Sequence, residues 1–220
     1  MAKTTNIILL GIGGQGTLTQ MEMLAMAAEK AGEEVRVLSR VSLARLGGSG
    51  MCHIRIGPSS SAAIPVGETD ILLTLEMSEV LRALPMARRG ALAFVNTYRR
   101  LPIATGVAGL HYPTRSEVEE ALRSHGITGV FVPESISGLV GDGTEQEQDD
   151  ARINIVMLGV LCGYTRLLPR STLEEAITER LPHFAEQNLR TFASGWSYGE
   201  TLETILEQAG LTADELRDLL

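Results

Sequence analysis

Asn6-Ile7-Ile8-Leu9-Leu10-Gly11-Ile12-Gly13-Gly14-Gln15-Gly16-Thr17 carries an apolar strand straight into glycines spaced G-x-G-x-x-G, and helical sequence follows. The stretch predicts a backbone built for close approach. Gly11 allows a tight turn, Gly13 lets an anionic group reach main-chain N–H groups, and Gly16 lets the helix pack close to the strand. The positive end of that helix then favours negative charge. Tight strand-to-helix turns that bind nothing share this spacing, so the rest of the chain decides.

Working outward, residues 17–31 read as a helix with Met21, Leu24, Ala25 and Ala28 on helical spacing, stopped by Gly32, and residues 35–39 read as a second strand. This βαβ unit supports a parallel sheet with a right-handed crossover. Residues 41–57 hold a second glycine loop (Gly47, Gly48, Gly50) and then alternate as a strand with His53 and Arg55 on one face. Residues 70–75 suit a central strand, 76–87 a helix, 91–96 a buried strand, 114–124 a helix and 129–133 a strand. The fold class that follows is α/β: a Rossmann-like, mostly parallel sheet flanked by helices.

Residues 138–150 read as an acidic solvated loop, and 151–164 as an apolar helix. Ser171 and Glu174 form a capping-box pattern for a helix over 172–181. Helical segments around 184–199 and 200–220 close the chain. Residues 1–199 are thus expected as one domain, with 200–220 as an amphipathic helical extension that packs on this domain or another subunit.

The 220 residues are 44% hydrophobic with a net charge of −8, enough for one large domain and ill suited to a phosphate backbone, so nucleic acid is not an expected partner. Cys52 and Cys162 are far apart and lack C-x-x-C companions, so these cysteines alone build neither a zinc site nor an iron–sulfur cluster. Both read as small buried side chains. No apolar run suits a bilayer span and no leader pattern precedes Ile7, which makes the cytoplasm the expected location.

An ordinary NAD site needs an acidic residue ending the second strand, and this chain has Val35-Arg36-Val37-Leu38-Ser39-Arg40 there. Arg36 or Arg40 could instead meet a ribose phosphate, which keeps an NADP-dependent reductase open as an alternative. A non-catalytic scaffold whose glycine loop stays empty is another. His53, His111, His125 and His183 show no metal-ligand spacing and no nucleophile motif, so no autonomous catalytic site is visible.

Several motifs occur together and in order: G-I-G-G-Q-G at 11–16, Gly47-Gly48-Ser49, His53-Ile54-Arg55-Ile56, Asn154-Ile155-Val156-Met157-Leu158-Gly159, Leu168-Pro169, and Glu186-Gln187-Asn188-Leu189-Arg190-Thr191-Phe192 with Gly195. In these the chain resembles the gamma-type subunits of 2-oxoacid:ferredoxin oxidoreductases, with most likeness to the beta subunits of indolepyruvate:ferredoxin oxidoreductases. The resemblance implies an accessory chain, not catalytic alone, in a hetero-oligomer that oxidatively decarboxylates a 2-oxoacid, an arylpyruvate by this likeness, to an acyl-CoA and passes electrons to ferredoxin. It places thiamine diphosphate and iron–sulfur clusters on a large partner subunit and leaves this chain a contact with coenzyme A.

On that reading Gly11, Gly13, Gly14, Gln15 and Gly16 form one anion-facing loop. Gly47, Gly48 and Ser49 form the second, with Arg45 or Arg55 as charged helper. Where the family usually has Ser-Gln-Arg before this second Gly-Gly, the chain has Ala44-Arg45-Leu46.

Overall fold

Ile7, Ile8, Leu9 and Leu10 are all fully buried, as four successive residues can be only in a strand covered on both faces. The computed structural model describes residues 3–41, 48–98, 111–133, 136 and 146–209. In it this strand, β1 (Thr5–Ile12), is inside a six-stranded sheet. Helix α1 (Thr17–Lys30) leads to β2 (Val35–Val41), followed by β3 (Ser49–Ile56) and β4 (Thr69–Thr74). A short helix, α2 (Val80–Ala83), flanked by 3-10 turns at Met77–Glu79 and Leu84–Met86, joins β4 to β5 (Ala87–Asn96). Then come α3 (Arg115–Ser124), β6 (Thr128–Val132), α4 (Gln146–Thr165), α5 (Arg170–Arg180) and α6 (Ala185–Ala209).

The strand order is β2-β3-β1-β4-β5-β6. The β1–β4, β4–β5 and β5–β6 pairings are parallel, as the βα pattern predicts. β1 and β2 also run in the same direction across α1, but they are not neighbours: β3 is inserted between them, antiparallel to both. An antiparallel return strand needs no helical crossover. His53 and Arg55 share one face of β3, while Cys52, Ile54 and Ile56 pack in the core on the other.

Helices α1, α4, α5 and α6 cover one side of the sheet, with Leu9, Met23, Leu73 and Phe94 in the core beneath them. Helices α2 and α3 cover the other, over Ile8, Leu10, Leu72 and Val95. Helices α4 and α6 interlock backbone to backbone: a Cβ added at Gly159, Gly163, Gly195 or Gly199 would overlap a carbonyl oxygen of the facing helix. Two small-xxx-small pairs therefore set the helix separation.

Three local expectations change. The two closing helical segments are one continuous helix over the described residues, because Gly199 is held inside the α4–α6 contact and does not act as a stop. The acidic stretch is helical from Gln146 onward, and its residues 138–145 lie outside the described residues. Ser171 caps nothing, because the helix starts two residues earlier than expected, at Arg170 with Pro169 as N-cap; Glu174 pairs instead with Arg170 one turn back at 2.7 Å. The capping box that does form is Thr114 with Glu117, at the start of α3.

Candidate functional site

β1 and β4 are adjacent and parallel, yet the helices that follow them go to opposite faces of the sheet. Their carboxyl ends therefore form a topological switch point, where an open α/β sheet has its natural crevice. The glycine turn is one wall of that crevice. Gly11 ends inside β1, opposite Gly50 of β3, and a side chain there would run into Thr17 Oγ1 and Gln15 Oε1. Gly16 is the N-cap of α1 at φ 80°, a left-handed conformation that side chains resist.

Gln15 is fully buried and shapes this turn from within. Its Oε1 accepts the Ile12 amide at 2.8 Å and its Nε2 donates to the Leu75 carbonyl at 3.3 Å. Asn96 Nδ2 donates to the same carbonyl at 3.2 Å, so the carboxyl ends of β1, β4 and β5 are tied together. The carboxamide of Gln15 is thus engaged by its own chain. Gly13 donates its amide to the Gly48 carbonyl at 2.8 Å, and Gln15 donates its amide to Ile12 at 3.1 Å. The amides of Gly14 and Gly16 have no acceptor among the described residues, and those of Thr17 and Leu18 are first-turn donors that a helix leaves open.

These donors face a cleft of about 270 Å³ lined by Gly11, Ile12, Gly13, Gly14, Gly16, Thr17, Leu18, Gly48 and Gly50. The two glycine loops, separate in sequence, share it. Ser49 points elsewhere: its hydroxyl donates to Glu79 Oε1 at 2.8 Å. Arg45 and Gly47, with Ala44 and Leu46, lie outside the described residues.

Among the described residues, the arginines suggested as charged partners are elsewhere. Arg55 is paired opposite Asn6, five residues down β3 from Gly50, about 17 Å along the strand. Its Nε donates to Asn6 Oδ1 at 2.9 Å, which removes it as a helper at the cleft. Arg36 is level with Arg55 and donates to the Ser59 carbonyl at 2.5 Å. Arg40 is opposite Met51, and the whole width of β3 separates it from β1. An adjacent β2 would bring such an arginine to the ribose of a dinucleotide at the glycine turn; the inserted β3 prevents it. His53 is buried, accepts the Ile64 amide on Nδ1 at 3.2 Å, and is held below its usual pKa by burial and then by Arg40.

Motif reading missed a buried carboxylate cluster just beyond the end of β4. Glu76, fully buried after β4, accepts from the Ser78 amide at 3.0 Å, the Ser78 hydroxyl at 2.5 Å, the Glu79 amide at 3.2 Å and the Tyr112 hydroxyl. Burial pushes its carboxyl above the ordinary carboxylate range, and these hydrogen bonds only partly offset that. Glu79, 2% exposed, pairs with Arg82 at 2.7 Å. Gln20 and Asn154 were also missed, although a polar residue on an otherwise apolar helical stripe was the available signal in both cases.

Comparison with known proteins gives a consistent picture. Residues 6–198 match the family described as pyruvate ferredoxin/flavodoxin oxidoreductase. Subunit IorB of indolepyruvate oxidoreductase from Archaeoglobus fulgidus is 30% identical over 194 residues, covering 87% of this chain and 94% of that one. Its counterpart from Thermococcus kodakarensis is 30% identical over 204 residues, covering 88% and 95%. Among solved structures, the fold is shared with the gamma subunit of a keto/oxoacid ferredoxin oxidoreductase from Geobacter sulfurreducens (TM-score 0.61, 20% identity, 90% of this chain and 99% of that one). It is also shared with 2-oxoglutarate:ferredoxin oxidoreductase from Magnetococcus marinus, solved with 2-oxoglutarate, coenzyme A and succinyl-CoA (TM-score 0.69, 16% identity, 91% of this chain and 32% of that one).

Proposed function

The chain belongs to the pyruvate ferredoxin/flavodoxin oxidoreductase family, and from that premise we propose that it is the accessory, gamma-type subunit of a thiamine-diphosphate-dependent 2-oxoacid:ferredoxin oxidoreductase acting on an arylpyruvate. The complex oxidatively decarboxylates the 2-oxoacid, transfers the acyl group to coenzyme A and passes the released electrons to ferredoxin. A large partner subunit carries thiamine diphosphate and the iron–sulfur clusters. The assembly works in the cytoplasm; among the described residues no helix is long and apolar enough to cross a membrane.

The observation that carries the site assignment is the shared cleft, lined by both glycine loops, in which the first loop exposes unpaired amides at the positive end of α1. Its chemistry fits a phosphate-bearing group of coenzyme A. Its volume is just below the roughly 300–1,000 Å³ of pockets that enclose whole ligands, so this chain holds one part of the cofactor and the partner the rest. Gly13, Gly14, Gly16 and Gly48 supply backbone access, Gly11 and Gln15 hold the turn, and Arg45 and Gly47 belong to the same second loop. Ser49 braces that loop against Glu79. Coenzyme A supplies the thiol that takes the acyl group; this chain binds, orients and excludes water.

The NADP-dependent reductase is not favoured, because Arg36 and Arg40 cannot serve the glycine turn across β3. The deciding experiment is turnover of indolepyruvate with coenzyme A and ferredoxin. The expected outcome is none by the pure chain and full activity on reconstitution with its large partner subunit. Turnover by the pure chain with thiamine diphosphate, coenzyme A and an electron acceptor overturns the accessory role.

A further inference from the structure

We infer that Gln20 and Asn154, neither of which lines the cleft, are the positioning residues that aim the anion-binding amides of the glycine turn. This rests on reading the cleft as the coenzyme A contact. Gln20 is fully buried and Asn154 is 4% exposed. Gln20 Nε2 donates to the Asn154 carbonyl at 2.8 Å, and Asn154 Nδ2 donates to the Gly16 carbonyl at 3.3 Å. Each helix thus places a side-chain amide on a main-chain oxygen of the other, and the clasp closes around the one residue on which the turn's direction depends.

The geometry of the peptide unit makes this consequential. The Gly16 carbonyl and the Thr17 N–H belong to one planar trans peptide and point in opposite directions. The Gly16 oxygen is held inward by two donors, Asn154 Nδ2 and the Gln20 amide at 2.9 Å, so the Thr17 N–H is turned outward to the cleft that Thr17 lines. Gly16, at φ 80° and without a side chain, cannot fix that plane by itself. Helix α4, which carries Asn154, is in turn held by its glycine interlock with α6, so the clasp ties the turn to a rigid support.

The clasp is also a poor way to obtain stability alone. It leaves Gln20 Oε1 and Asn154 Oδ1 buried without partners, where apolar side chains of similar size would bury no unsatisfied oxygen. Retaining two amides in an apolar interface fits a demand on geometry.

The test uses the reconstituted complex with Asn154→Leu and Gln20→Met, which keep side-chain volume and remove the donors, and with Gly13→Val, which obstructs the cleft. Each clasp variant is expected to raise the KM for coenzyme A about five- to tenfold, the worth of one lost hydrogen bond, with kcat and the KM for indolepyruvate within about twofold of the natural complex. If Gly13→Val raises the coenzyme A KM while Asn154→Leu and Gln20→Met leave it unchanged, the clasp is merely structural and the inference is overturned, with the cleft reading intact. If none of the three moves that KM, the cleft reading itself falls. Should Asn154→Leu fail to assemble, Asn154→Ala decides, because it also removes the side-chain donor to the Gly16 carbonyl without crowding the interface.

Discussion

Gly13 donates its amide to the carbonyl of Gly48 at 2.8 Å, and this single bond makes two glycine loops, far apart in sequence, the walls of one cleft. The Gly13 amide is thus spent on holding the second loop. The donors left for a ligand come next in the chain, at Gly14, Gly16 and the first turn of α1.

Gly16 and Gly32 adopt the same left-handed φ of 80°, but a Cβ at Gly16 overlaps the Asn154 amide while one at Gly32 meets nothing within 4 Å. Gly32→Ala is therefore expected to cost about 1 kcal/mol from backbone strain alone, and Gly16→Ala about 2–4 kcal/mol. Urea denaturation of the two variants measures the difference. Equal losses would mean that Asn154 yields freely and does not constrain the turn.

The α4–α6 contact gives a second prediction. Gly163→Ala or Gly195→Ala drives a methyl group into the facing backbone, at Trp196 and Val156 respectively, where no rotamer change can relieve it. Each should destabilise the chain by about 2–3 kcal/mol, read from chemical denaturation. A loss below about 0.5 kcal/mol would show that the helices separate without penalty.

Much of this fold was legible because its strands are apolar runs ended by glycine or polar residues, as at Ile7–Leu10. The insertion of β3 was not, since alternation at Met51, His53 and Arg55 predicts a strand but says nothing of which neighbour it pairs with. The same gap made Arg36 and Arg55 look available, when pairing register puts them at the far end of the sheet. At the site, glycine spacing identified the turn. It could not show that Gln15 folds inward, because that depends on the Leu75 carbonyl, which comes from another strand.

Glu76 predicts a pH dependence. Its buried carboxyl binds a proton more tightly in the folded chain than in the unfolded one, where the ordinary value is near 4.5. Its contribution to stability is complete below pH 4.5 and is lost as the pH rises through the higher folded value. The stability of the natural chain relative to Glu76→Gln, which cannot ionise, should therefore fall as the pH is raised above about 4.5 in urea titrations. A difference that rises as the pH increases contradicts the burial argument.

Both cysteines are fully buried, and burial raises both thiols, Cys162 up to about 12. At pH 8 neither should react with a thiol reagent in the folded chain, while both react once the chain is unfolded in denaturant. Rapid labelling of the native protein would contradict the packing of Cys52 under α1 or of Cys162 against α6.

The central claim is that the amides beside the glycine turn meet coenzyme A in the assembled enzyme. Hydrogen exchange over residues 11–18 of the reconstituted complex, with and without saturating coenzyme A, tests it most directly. Slower exchange at Gly14, Gly16 and Thr17 on adding coenzyme A is the predicted result; unchanged exchange there, in a complex whose turnover requires coenzyme A, would contradict it.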